Sequence, residues 1–337
     1  MPISWRCSMP CRWAASSTSA DAGDHQPLPR NVPAIILTRL ASTLVVMLGV
    51  CTLVFALIHL VPGDPVEAML GERAQAADRA ALRASLGLDR PLWEQYSHYL
   101  AGLLRLHLGT SFLDQRPVTA ILAERLPATL WLAAAALGIA LVVALPLGVL
   151  AARFRGGAVD SAAMTLSLLG MSIPNFWLGP LLILVFSLML GWTPVSGDET
   201  PLGLVLPAMT LGTALAAILA RMVRASMLEV LNEDYVRTAR AKGLGETAVL
   251  WRHALRNAWL PILTVVGLQL GGLLAGAVIT ETVFAWPGIG SLLVESIKAR
   301  DFPVVQGCVL LISLSYVLVN TLTDLAYAWA DPRISAG

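Results

Sequence analysis

The sequence predicts an all-α, polytopic membrane protein, and three observations carry that prediction. The first is how little charge there is: 13% of the 337 residues are charged and 56% are hydrophobic, against roughly 25% charged residues in soluble domains. The second is where charge is missing. Six stretches longer than 20 residues contain no Asp, Glu, Lys or Arg, at 40–63, 126–152, 161–197, 200–220, 257–280 and 302–323. Each reaches the roughly 20 residues that a helix needs to cross a hydrocarbon core of about 30 Å. The third is the pattern inside them: Leu, Ala and Val runs lack the period-two alternation of a barrel strand, so helices must satisfy the backbone in lipid. A water-soluble enzyme is excluded, and six transmembrane helices are expected.

The basic residues orient these spans. Of the 23 Lys and Arg, four lie before or at the start of the first span, two between the second and third, seven between the fourth and fifth, and one in the tail. The short loops on the opposite side hold only two, Lys298 and Arg300, and the other seven sit in a segment too long for the rule to count. Both termini are therefore expected in the cytoplasm.

In chain order, residues 1–35 are rich in Ser, Pro and Ala and lack an apolar signal-peptide core. They read as a disordered cytoplasmic extension, with translation expected to start near Val32. The first transmembrane helix, 36–61, ends at Leu60-Val-Pro-Gly-Asp-Pro65, where prolines and glycine stop it at the outer surface. Residues 62–127 form an expected external helical subdomain. Its helices fall at 74–86 and 91–105, the second marked by Leu92, Tyr96, Leu100 and Leu103 at helical spacing. The transmembrane core follows over 128–330, and 331–337 is a cytoplasmic tail.

Within the core, the 37-residue run at 161–197 is too long for one straight span and contains Ser172-Ile-Pro-Asn-Phe-Trp-Leu-Gly-Pro180. This fits either a packing kink or a break that lines a pathway. The fifth span carries Gly267, Gly271, Gly272 and Gly276, small residues that admit another helix, from this chain or a second subunit. After it, Glu281-Thr-Val-Phe-Ala-Trp-Pro-Gly-Ile-Gly290 makes a turn into a short amphipathic piece at the outer face, ending near Asp301.

The cytoplasmic loop at 232–257 is the most informative segment. Asn232 is placed to cap a helix with acids in its first turn, bases Arg240 and Lys242 in its last, and Gly243 as its stop. A second short helix is expected from Glu246 to Arg256, before Pro261 opens the fifth span. A capped helical pair is more than a connector requires and reads as a docking surface. It is not a nucleotide site. Gly243-Leu-Gly245 is too short for a dinucleotide fingerprint, and neither lysine of the chain, Lys242 or Lys298, follows the glycine that a phosphate-binding loop needs. No cofactor is expected, the four cysteines have no metal-binding spacing, and ATP would have to be bound by another chain.

The run DYVRTARAKG at 234–243, with HALRNAWLP at 253–261, resembles the coupling loop of permease subunits of bacterial ABC importers, in the dipeptide/oligopeptide/nickel branch. Further matches are HLVPGDP at 59–65, RLPATL at 125–130, SIPNFWLG at 172–179, ETVFAWPGIG at 281–290 and DPR at 331–333. The family's Glu-Ala-Ala, three residues, Gly pattern falls on Arg237, Thr238, Ala239 and Gly243. The resemblance implies an inner-membrane permease that forms a pathway for peptides or related small solutes, and an ATPase-docking set of Tyr235, Arg237, Ala239, Lys242, Gly243 and Leu244. It also implies the partners: a homologous second permease subunit, two ABC ATPase subunits and an external substrate-binding protein. One departure is Leu106-His-Leu-Gly-Thr-Ser111, where relatives usually carry Gly-Asp-Leu-Gly.

Three rival readings fit less well. An ion-coupled secondary transporter or channel would place charge near mid-membrane, and these spans carry none. An intramembrane enzyme would need a nucleophile beside a base or a His-Glu-x-x-His metal site, and neither is present. A nucleic-acid-binding helix-turn-helix would not sit as a short loop between two spans. The remaining polar residues read as structural: His59 as an interface histidine, Arg221 and Arg224 as inner anchors, and Asn320, Asp324 and Tyr327 as one face of the last helix.

Overall fold

The computed structural model describes residues 32–60, 66, 75–86, 89–197 and 200–330. The expected extension through residue 31, the Leu60–Pro65 turn beyond its first residue, the tail, and the side chains of His59, Asp324 and Tyr327 lie outside the described residues. Among the described residues the chain is helical, with one isolated bridge between Thr110 and Pro117 and no strand.

The helices are α1 (Val32–Leu60), α2 (Ala76–Leu86), α3 (Leu92–Leu104), α4 (Val118–Arg153), α5 (Ala158–Ser172) and α6 (Asn175–Leu182, continued by a π-helical turn Ile183–Met189). After a 3₁₀ turn at Pro201–Leu204 come α7 (Val205–Val230), α8 (Asp234–Ala241), α9 (Leu255–Phe284), α10 (Ile289–Ala299) and α11 (Phe302–Ala330). Three segments are long and apolar enough to cross a membrane: Val118–Arg153, Pro201–Val230 and Phe302–Thr323. Two bent pairs raise the number to as many as five, and α1 contributes a shorter apolar stretch, Thr43–Ala56.

Two long helices, α4 and α7, form the centre. Leu132, Ala136, Ala140 and Ala144 recur every four residues on α4, as Leu211, Leu215, Leu219 and Val223 do on α7, and all eight are buried in one cluster. Alanine on one helix facing leucine on the other brings the backbones close: a Cβ added at Gly148 would lie 2.6 Å from Val223 Cβ, and one at Gly212 would lie 2.9 Å from Ala136 O. In lipid this interdigitation, rather than exclusion of water, holds helices together.

Several boundaries differ from the sequence expectation. Helix α4 begins at Val118 and runs through Pro127, so the boundary expected between residues 127 and 128 falls inside a continuous helix. The SIPNFWLG segment is a true break: α5 and the Asn175–Met189 segment meet at 101°. The pair expected in the inner loop is one helix and the start of another. Glu246–Ala248 and a π-helical turn, Val249–Ala254, lead directly into α9. Pro261 is interior; Asn257, whose carbonyl a residue with an N–H at 261 would have engaged, is on the exposed side. Two of the four glycines expected on the fifth span pack within the chain: Gly267 abuts Thr323 and Gly271 abuts Tyr316 of α11, with 2.7 Å between an added Gly271 Cβ and the Tyr316 ring, while a Cβ at Gly272 would meet nothing within 4 Å.

Candidate functional site

The loop between α7 and α9 is built from its own residues. Helix α8 ends in a Schellman turn: Gly243 N–H donates to Arg240 O at 2.9 Å and Leu244 N–H to Ala239 O at 3.3 Å. That turn needs a left-handed residue, and Gly243 supplies it at φ +82°. A Cβ at Gly243 would meet nothing within 4 Å, so the position is open outward. The start of α8 differs from expectation. Glu233, not Asn232, occupies the cap position and its side chain makes no capping bond, while the Asn232 amide turns back to Leu228 O at 2.8 Å.

One face of α8 is packed and the other is bare. Val236, Ala239 and Val249 form a small buried cluster against Val230 and Leu231. Of the six expected docking residues, Tyr235 and Arg237 in the first turn of α8 and Lys242, Gly243 and Leu244 after its last are exposed. Ala239 is not among them. It faces inward, where its small side chain lets α8 lie on Val249. The sequence reading did not single out Trp251, an exposed indole on the π-helical turn.

Charge fixes the hairpin. Arg240 bridges the turn to Glu246 at 2.8 Å, and Arg237 pairs with Asp234 along the helix. The Arg240 guanidinium hydrogen-bonded to it holds the Glu246 carboxyl below the ordinary carboxylate range. Among the described residues Lys242 has no carboxylate partner. No three His, Cys, Asp or Glu side chains among them converge as metal ligands.

Beneath the hairpin, Arg224 of α7 grips Asp160 at the start of α5 with two bonds of 2.5 and 2.7 Å, and Gly156 N–H adds a third at 2.9 Å. The inner anchor expected at Arg224 is thus a fork-to-carboxylate clamp on a buried Asp160.

The opposite end of α9 carries a second polar construction. Glu281, fully buried, accepts from Thr129 Oγ1 at 2.7 Å, Gly290 N at 2.7 Å and Ser291 N at 3.1 Å. Thr129 Oγ1 in turn accepts from Ile289 N at 2.8 Å, and Trp286 Nε1 donates to Ala128 O at 2.9 Å. Nearby, Ser111 Oγ donates to Asp301 Oδ2 at 2.5 Å. These bonds seat the first turn of α10 on a carboxylate, consistent with the positive end of a helix dipole.

Bent apolar helices, several long enough to cross a membrane, joined by one exposed helical hairpin define a membrane component. The chain belongs to the family of binding-protein-dependent transport system inner membrane components, whose model matches residues 144–336; the N-terminal model of the same components matches residues 33–133. It is a permease subunit of an ABC importer. The glutathione transport system permease protein GsiC of Pectobacterium atrosepticum is 46% identical over 296 residues, covering 88% of this chain and 97% of that protein. The dipeptide transport system permease protein DppB of Escherichia coli K12 is also 46% identical, covering 89% of this chain and 98% of that one. The solved inward-facing MetNI methionine ABC transporter shares the fold, with a TM-score of 0.54 at 19% identity over 63% of this chain and 96% of that one.

Proposed function

We infer that this permease carries small peptides, or peptide-like thiols of the glutathione kind, inward across the membrane by alternating access. Two relatives at 46% identity named for dipeptide and glutathione transport support that substrate class. The subunit pairs with a homologous second permease, receives substrate from an external binding protein, and is driven by two ATPase subunits. The six charge-free stretches and the cluster of seven bases between the fourth and fifth argue for six spans with both termini in the cytoplasm.

The observation that carries the reading is the hairpin: Tyr235, Arg237, Lys242, Gly243 and Leu244 stand exposed on a turn sealed by backbone bonds. Such a rigid short helix fits a cleft on an ATPase and passes its closure to α7 and α9 as rigid-body motion. Gly243 tests this cleanly. Gly243→Ala strains only the left-handed backbone, about 1 kcal/mol, and keeps most import. Gly243→Trp adds a bulky group where the partner would sit. It is expected to abolish import and ATPase co-purification at unchanged membrane insertion, and normal import by that variant would overturn the docking role. A reporter fused after residue 337 that was active only outside the cytoplasm would overturn the orientation.

A further inference from the structure

Helices α5, α7 and α9 border an open cavity of about 630 Å³ lined by Met164, Leu168, Ile218, Arg221, Met222, Arg224, Ala225 and Val265. That volume falls within the roughly 300–1,000 Å³ of small-molecule sites. The cavity lies between two features already described: the α5–α6 break after Ser172 and the Asp160–Arg224 clamp. It is therefore about two to three helical turns from the hairpin end of α7.

The two arginines at this level differ. Arg224 is neutralised by Asp160. Arg221, one turn earlier and exposed to the cavity, has no carboxylate partner among the described residues; its side-chain contact is from Nη1 to Met171 Sδ at 3.6 Å. A guanidinium there is a fork without an anion. Around it stand Met164, Met171 and Met222, flexible and polarizable side chains that conform to differently shaped neighbours. One fixed cation among adaptable walls suits a solute with a constant carboxylate and variable side chains.

We propose that this cavity is a transit site for the substrate on the pathway, in which Arg221 binds the solute's free carboxylate while the methionines accommodate its side chains. The proposal rests on the peptide-class reading above and adds the residue that recognises the common group.

The test uses the complete importer, with both permeases, ATPases and binding protein, in proteoliposomes. Import of a dipeptide is compared with import of its C-terminal amide. One binding protein delivers both compounds, so a change in their ratio between variants belongs to this chain. Arg221→Gln is expected to lower the free-acid to amide ratio about tenfold, the size of one charge-assisted hydrogen bond, and Arg221→Lys to restore it to within about threefold of wild type. An unchanged ratio in Arg221→Gln, or an equal fall for both compounds, overturns the carboxylate site. So does failure of Arg221→Lys to recover. If the wild-type importer moves neither compound while energised and loaded with its own substrate, the peptide reading itself falls.

Discussion

The two ends of α9 are built on opposite plans. At its C-terminal end, Glu281, Thr129 and the first turn of α10 satisfy one another completely, and the packing leaves no slack: a Cβ at Gly288 would sit 2.2 Å from Glu281 Oε1, and one at Gly290 would sit 2.4 Å from Val278 Cα. At its N-terminal end, the hairpin has a small core but exposes Tyr235, Leu244 and Trp251, and its key glycine faces open space. One end is finished by bonds within the chain, whereas the other leaves apolar side chains exposed. Substitutions at the first should therefore cost stability, and substitutions at the second should cost transport.

Glu281→Ala should have the largest effect on stability. It strips Gly290 N, Ser291 N and Thr129 Oγ1 of their acceptor, at about 1–3 kcal/mol for each buried group left unpaired. The expected result is a detergent-solubilised importer that melts well below wild type; an unchanged melting temperature would break the contrast. Leu244→Asp should have the reverse signature, with import lost as the ATPase fails to dock and the melting temperature of the isolated subunit unchanged. Leu106→Gly sharpens the comparison in the stabilising direction. Leu106 is exposed and held at φ +59°, so glycine relieves about 1 kcal/mol of left-handed strain and should raise the melting temperature by a few degrees.

The smallest effect is the Arg240–Glu246 bridge. Glu246 titrates lower in the folded protein than in the unfolded chain. Its contribution is thus fully present above the ordinary carboxylate pKa of about 4.3 and fades as pH falls through the lower folded value. Because the pair is partly exposed, the amount is about 0.5 kcal/mol. Melting curves of wild type and Arg240→Gln should run parallel from pH 6 to 8 and converge only below about pH 4.3.

Much of this architecture was legible because lipid imposes simple rules. A charge-free run of adequate length is a helix, a 37-residue run holding a Pro-Asn sequence is too long to be one straight span, and a basic cluster with a terminal glycine marks the hairpin. What was not legible depends on neighbours distant in sequence. Glu281 read as the polar start of a loop, although Thr129, 152 residues away, helps bury it. Arg224 looked like an anchor because its partner Asp160 lies 64 residues earlier. Pro261 suggested a helix start, but a π-helical turn upstream and an exposed face beside it let the helix pass through. Leu106 did leave a local trace: it departs from the glycine of the resembled family pattern, and its φ of +59° is one that glycine adopts without strain.

The Schellman turn at Gly243 bears on the order in which the importer is put together. Its bonds, and the Val236, Ala239 and Val249 cluster beneath it, join residues fewer than twenty positions apart. The hairpin can therefore take its final shape as soon as that stretch of chain emerges from the ribosome, without waiting for an ATPase to mould it. Its shape is set by contacts local in sequence and does not depend on when the distant helices find one another.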